Sequence, residues 1–186
     1  MADKHIFIGL GGSGVNTVSR IKFKIYERTR ATEMKSRRQV MDETYRFMFM
    51  DTDSRDVVNA NRLYRSQYEG GREEFISRNE LVNLGDMNPA SIYQEACGAP
   101  ELMINRRITE GCPERVVQSM EYRNLSFGAG ALRHKSRLAF ARHEGEFYEK
   151  LKANIDQLNQ NQINNEPNVF HYWVVSSSNG GTGSGT

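Results

Sequence analysis

Four short stretches of this chain carry residue types suited to holding phosphate and a divalent cation. The last of them is Gly180-Gly181-Thr182-Gly183-Ser184-Gly185, glycines interleaved with hydroxyls. Glycines remove the Cβ atoms that keep a backbone away from an anion, and successive N–H groups and hydroxyls then point at it. The first is Gly9-Leu10-Gly11-Gly12-Ser13-Gly14, which satisfies the G-x-G-x-x-G pattern. Another, Gly128-Ala129-Gly130-Ala131, repeats the same small-residue logic ahead of a helical pattern. The remaining stretch, Asp51-Thr52-Asp53-Ser54-Arg55-Asp56, offers the carboxylates of Asp51 and Asp53. Magnesium favours one or two carboxylates completed by phosphate oxygens and water, so this pair is chemically apt. Two other uses stand beside that one. Asp51 or Ser54 could cap a following helix. An acid in this place could also hold ribose hydroxyls in a dinucleotide fold, where it usually lies ~20 residues beyond the glycines. Here the separation is about twice that.

Each stretch sits beside an element able to position it. His5–Leu10 is an apolar run that reads as a strand and delivers the first glycines. Val15, Val18, Ile21 and Ile25 fit one helical face over 15–28, although Ile21, Phe23 and Ile25 also alternate with Lys22 and Lys24 as a strand would. Tyr45–Met50 reads as a second strand running into the acidic stretch. Val169–Val175 is aromatic and β-branched, a composition that suits a strand buried on both faces. Leu138, Ala141, Gly145, Tyr148, Leu151, Ile155 and Leu158 mark one face of a long helix. The polar run from Asn159 to Asn168 then returns the chain, and a right-handed crossover makes the last strand parallel to the first two. Residues 61–127 are punctuated by Gly and Pro pairs, with short helical pieces expected at Glu73–Leu84 and Pro113–Tyr122. The expected fold class is α/β, a Rossmann-like, mostly parallel sheet flanked by helices, with the loops gathered at its carboxyl edge.

Composition narrows the function classes. A chain of 186 residues with 38% hydrophobic content can bury one core, with part of its length left as solvated loop. Its formal net charge of +2 does not call for a nucleic-acid partner. The eight basic residues between Arg20 and Arg38 read as a solvated helix face and loop. Two cysteines, Cys97 and Cys112, make neither a disulfide framework nor a zinc ligand set. No run approaches the ~20 apolar residues of a membrane span, and no signal-like segment opens the chain, so a cytoplasmic protein is expected.

The loop Gly180–Gly185 resembles the signature loop of the tubulin/FtsZ superfamily, which grips the phosphates of GTP. Gly14-Val15-Asn16-Thr17 resembles that superfamily's first nucleotide loop, including Gly11, Gly12 and Ser13, and the resemblance gives Asn16 the ribose or base. Asp51-x-Asp53 matches the acidic pair near the nucleotide's magnesium. Gly128–Ala131 resembles the third nucleotide loop, in a form closer to the bacterial tubulin-like proteins than to FtsZ itself. Arg133 and Arg137 either meet phosphate or stand exposed. The resemblance covers roughly residues 4–60 and 126–186, with the stretch 61–127 resembling an insertion. It implies the N-terminal part of a GTP-binding domain, with GTP or GDP and Mg2+ as ligands and head-to-tail self-association. It also implies that groups from another subunit complete the hydrolytic site, so that no catalytic residue is expected within this chain. Two alternatives are an NAD(P)-binding Rossmann domain of an oxidoreductase, which leaves Gly180–Gly185 without a task, and a nucleotide-bound scaffold or switch without turnover.

Overall fold

A computed structural model describes residues 2–86, 88–111, 133–160 and 167–186. The expected third loop, Gly128–Ala131, and the piece Pro113–Tyr122 lie outside the described residues. Four parallel strands form one sheet in the order β3-β2-β1-β4, where β1 is Ala2–Leu10, β2 is Tyr45–Asp51, β3 is Leu81–Asn83 and β4 is Asn168–Ser176. The α/β, Rossmann-like class read from the sequence is what the structure shows. Registers of Leu10 with Met50 and of Leu10 with Ser176 put the ends of β1, β2 and β4 on one edge.

Alternation along the strands sorts the core into two faces. Phe47 and Phe49 pack on one side with Val15, Val18, Phe23 and Tyr26 of helix α1 (Gly11–Arg28) and Val57 and Ala60 of α3 (Ser54–Tyr64). Ile6, Ile8 and Met48 face the other side, where Leu151, Ile155 and Leu158 of α6 (Arg133–Gln160) meet them. Two shorter helices, α4 (Pro89–Gly98) and α5 (Met103–Gly111), follow β3 and pack on the start of α6 through Ile92, Ala96, Ile108 and Leu138. Helix α2 (Arg37–Asp42) opens on a capping box made by Ser36 and Gln39. Among the described residues no helix is long and apolar enough to cross a membrane.

Several local expectations are corrected. Glu73–Leu84 is not a helix: it turns through 78–80 and ends in β3, because Leu81 and Val82 find the free edge of β2. On α6 the apolar stripe runs through Phe140, Phe147 and Leu151, and it leaves Tyr148 59% exposed and Gly145 facing open space. Strand β4 is not buried on both faces: among the described residues it lies at the edge of the sheet, with Tyr172, Trp173 and Val174 about half exposed or more. Lys22, expected on a solvated face, lies in the buried stripe of α1. Its ammonium reaches both oxygens of Glu80 at 2.6 and 2.8 Å and the Phe75 carbonyl at 2.5 Å. Three other cations of that run pair with carboxylates: Lys24 with Glu27, Lys35 with Glu43, and Arg38 with Asp42 and Glu73.

Candidate functional site

At the carboxyl edge, the first and last glycine stretches touch. Helix α1 begins directly at Gly11, which holds φ at +68°, a conformation that glycine adopts at little cost. A Cβ there would lie 2.9 Å from the Gly183 nitrogen. Gly183 and its neighbours form a single helical turn, α7 (Gly181–Gly185), rather than an open loop. A Cβ on Gly183 would in return lie 2.9 Å from the Leu10 carbonyl oxygen. Gly14 does different work: a side chain there would overlap the Val175 carbonyl, so this glycine lets α1 sit down on β4. Ser13 and Asn16 are exposed on the first turns of α1, and Gly12 is half-buried beside the Asp56 carboxylate.

The start of α6 supports the same turn from behind. Ser136 is fully buried and donates to the Gly181 carbonyl at 2.5 Å. Gly185 packs so closely that a Cβ would overlap the Arg133 carbonyl. Arg133 itself donates to the Ser178 carbonyl at 3.2 Å, and Arg137 is exposed. Gly180 lies at the N-cap of the turn, and the Ser184 hydroxyl donates back to the Gly180 carbonyl.

The two candidate metal carboxylates have separate environments. Asp53 is the N-cap of α3: its Oδ1 accepts from Arg55 N at 3.0 Å, and both oxygens meet the Arg55 guanidinium at 2.6–3.1 Å. Those hydrogen bonds hold its carboxyl below the usual range. The helix cap is therefore Asp53, not Asp51 or Ser54. Asp51 is only 3% exposed, at the end of β2. Its Oδ1 accepts from Asp53 N at 3.1 Å and from the Thr182 hydroxyl at 3.2 Å, while Oδ2 is buried without a partner. Burial pushes this carboxyl up to about 6, and the nearby Asp56 charge adds to the rise. A buried oxygen left without a donor is costly, and it fits a site that receives a cation. Among the described residues no group of three or more His, Cys, Asp or Glu is arranged to hold a metal. A cation at Asp51 would therefore draw most ligands from phosphate and water, as magnesium does.

Thr52, Asp56 and Ser136 belong to this edge but were not among the candidates. Asp56 is a further acid of the same run, in the first turn of α3. Nothing in the sequence marks Thr52 or Ser136, whose partners lie 130 and 45 residues away. A family model described as tubulin-like matches residues 6–186. No curated protein and no solved structure matches the chain.

Proposed function

Because this chain belongs to the tubulin-like family, we propose that it binds GTP or GDP with Mg2+ at the carboxyl edge of its sheet and assembles head to tail in the cytoplasm. One observation carries the reading: two glycine stretches some 170 residues apart meet within van der Waals distance beside a buried carboxylate that lacks a partner. Gly11 and Gly183 let the two stretches close on each other and Gly12 leaves room for the Asp56 carboxylate, so that the backbone N–H groups gathered there would supply donors to phosphate oxygens. Asp51 would hold the cation, which offsets the charge of the phosphates against Asp51 and Asp56. Asn16, exposed beyond the first turn of α1, would meet the ribose or base. Phosphate cleavage belongs to contacts between subunits, since an attacking water needs a positioned group in line with the terminal phosphate.

An oxidoreductase with NAD(P) at the first glycine stretch would leave the packing of Gly183 against Leu10 without a purpose. Titration of GTP, ATP and NAD into the purified protein, with Mg2+ present, separates the readings. Preference for GTP is expected; tightest binding of NAD would reject it. Light scattering on addition of GTP separates an assembling protein from a nucleotide-bound switch, and growth of scattering is expected.

A further inference from the structure

Thr52 is fully buried, and its side chain faces the last glycine turn. Its hydroxyl lies 2.7 Å from that of Thr182, and Thr182 Oγ1 donates to Asp51 Oδ1. A hydroxyl has a single proton. Because Thr182 gives its proton to Asp51, Thr52 must be the donor in the Thr52–Thr182 bond. The direction of the chain is thus fixed, from Thr52 through Thr182 to the carboxylate, and a charged acceptor strengthens each link. Both hydrogen bonds to Asp51, from Thr182 and from Asp53 N, fall on the same oxygen. The other oxygen is left bare.

Thr52 is itself held in place. A Cβ on Gly85 would overlap the Thr52 carbonyl, so the chain leaving β3 closes against it. Leu84 N donates to the Asp51 carbonyl at 2.9 Å, which fixes the residue before. The hydroxyls of the last turn are meanwhile committed within the protein: Thr182 to Asp51, Ser184 to the Gly180 carbonyl, Thr186 to the Thr182 carbonyl at 2.8 Å. Thr182 therefore has no proton for a phosphate oxygen. Its service is to the carboxylate.

We propose that Thr52 is a positioning residue: through Thr182 it holds Asp51 with Oδ2 left for a divalent cation, and so couples cation binding to the order of the last glycine turn. This rests on the Mg2+–nucleotide reading above. A residue acting through a metal ligand typically changes metal affinity by about 10–100-fold. The test compares Thr52→Val, Thr52→Ala and Thr52→Ser in the full chain, measuring GTP affinity with Mg2+ and with EDTA. With Val or Ala, the advantage that Mg2+ gives should shrink about tenfold, affinity in EDTA should hold, and Ser should restore the advantage. Should the Val variant fail to fold, the Ala variant carries the same comparison. Equal losses with Mg2+ and EDTA would make Thr52 a packing residue and overturn the proposal. A wild-type protein that binds GTP with no Mg2+ dependence overturns the coupling while leaving the nucleotide reading intact. A wild-type protein that binds no GTP rejects that reading; electron paramagnetic titration of Mn2+ alone then decides, with weaker binding in Thr52→Val in favour and unchanged or absent binding against.

Discussion

Lys22 and Asp51 are both ionisable and almost wholly buried, at 2% and 3% exposure, yet the fold treats them in opposite ways. Around Lys22 every donor is answered: Glu80 with two oxygens, the Phe75 carbonyl, and the rings of Phe47, Tyr68 and Phe75 within 5.0–5.5 Å. Burial lowers its affinity for a proton, and the Glu80 carboxylate opposes that. Around Asp51 one oxygen is answered twice and the other not at all. A saturated buried charge specifies how elements pack, here α1 against the turn before β3. An unsaturated one marks where the fold keeps capacity for something it does not itself contain. The first lies under the α1 face of the sheet, the second at its carboxyl edge.

The largest effect should come from the saturated charge. Lys22→Met takes the cation from Glu80, which keeps Ser77 N and Oγ as donors, and leaves the Phe75 carbonyl without its partner; removing one partner of a buried pair costs about 3–5 kcal/mol. Urea denaturation reads this as a fall in midpoint. Adding Glu80→Leu to Lys22→Met should recover most of it, because the pair can be replaced by apolar groups more cheaply than it can be broken. A double variant as unstable as the single would show that the pair is not what joins these elements.

Asp53 sharpens the contrast because it stands two residues from Asp51 and is saturated by Arg55. Asp53→Ala should behave like a lost helix cap, costing about 1 kcal/mol, with the Mg2+ dependence of nucleotide affinity unchanged. If Asp53→Ala instead abolishes that dependence, the acidic pair acts as a unit and the separate roles assigned here fail.

A smaller effect is expected at His5, a half-exposed titratable group on the sheet. It stacks between His171 of β4 and Tyr45 of β2, accepts from Trp173 Nε1 at 3.2 Å, and lies near Asp3. Burial and then the His171 charge lower its proton affinity, with Asp3 opposing. A histidine whose folded pKa is depressed contributes stability above its ordinary value near 6.5 and loses it as pH falls below that point. The melting temperature should therefore drop modestly from pH 7 towards pH 5, and His5→Gln should flatten the drop.

Much of this frame was legible in the residues. β1, β2 and α1 follow from apolar runs broken by glycine, and the long α6 from its three-and-four spacing. β3 was not legible: its Leu81-Val82-Asn83 is too short to show a period, and Glu73, Glu74 and Glu80 suit a helix as well as a turn. The composition of β4 reported apolar character, but an edge position depends on which neighbours a strand has, and sequence does not list them. At the site, the glycines and the acidic run were visible because their types are unusual. Which carboxylate caps and which stays open was not. Asp51 and Asp53 differ only in partners, and the decisive one, Thr182, is 131 residues from Asp51. Lys22 was misplaced for a similar reason: a lysine amid basic neighbours reads as solvated until Glu80 is found to share its pocket.

On the function proposed above, the bare oxygen of Asp51 is held for a cation brought by nucleotide, at a cost to the empty fold. Asp51→Asn tests it most directly, because an amide keeps the acceptor used by Asp53 N and Thr182 while removing the buried charge. Measured on one preparation, unfolding free energy without nucleotide and GTP affinity with Mg2+ should move in opposite directions. Stability should hold or rise by about 1 kcal/mol, and the Mg2+ advantage in affinity should fall by on the order of tenfold or more. A variant that is several kcal/mol less stable when empty, yet binds GTP with Mg2+ as the wild type does, would contradict the account.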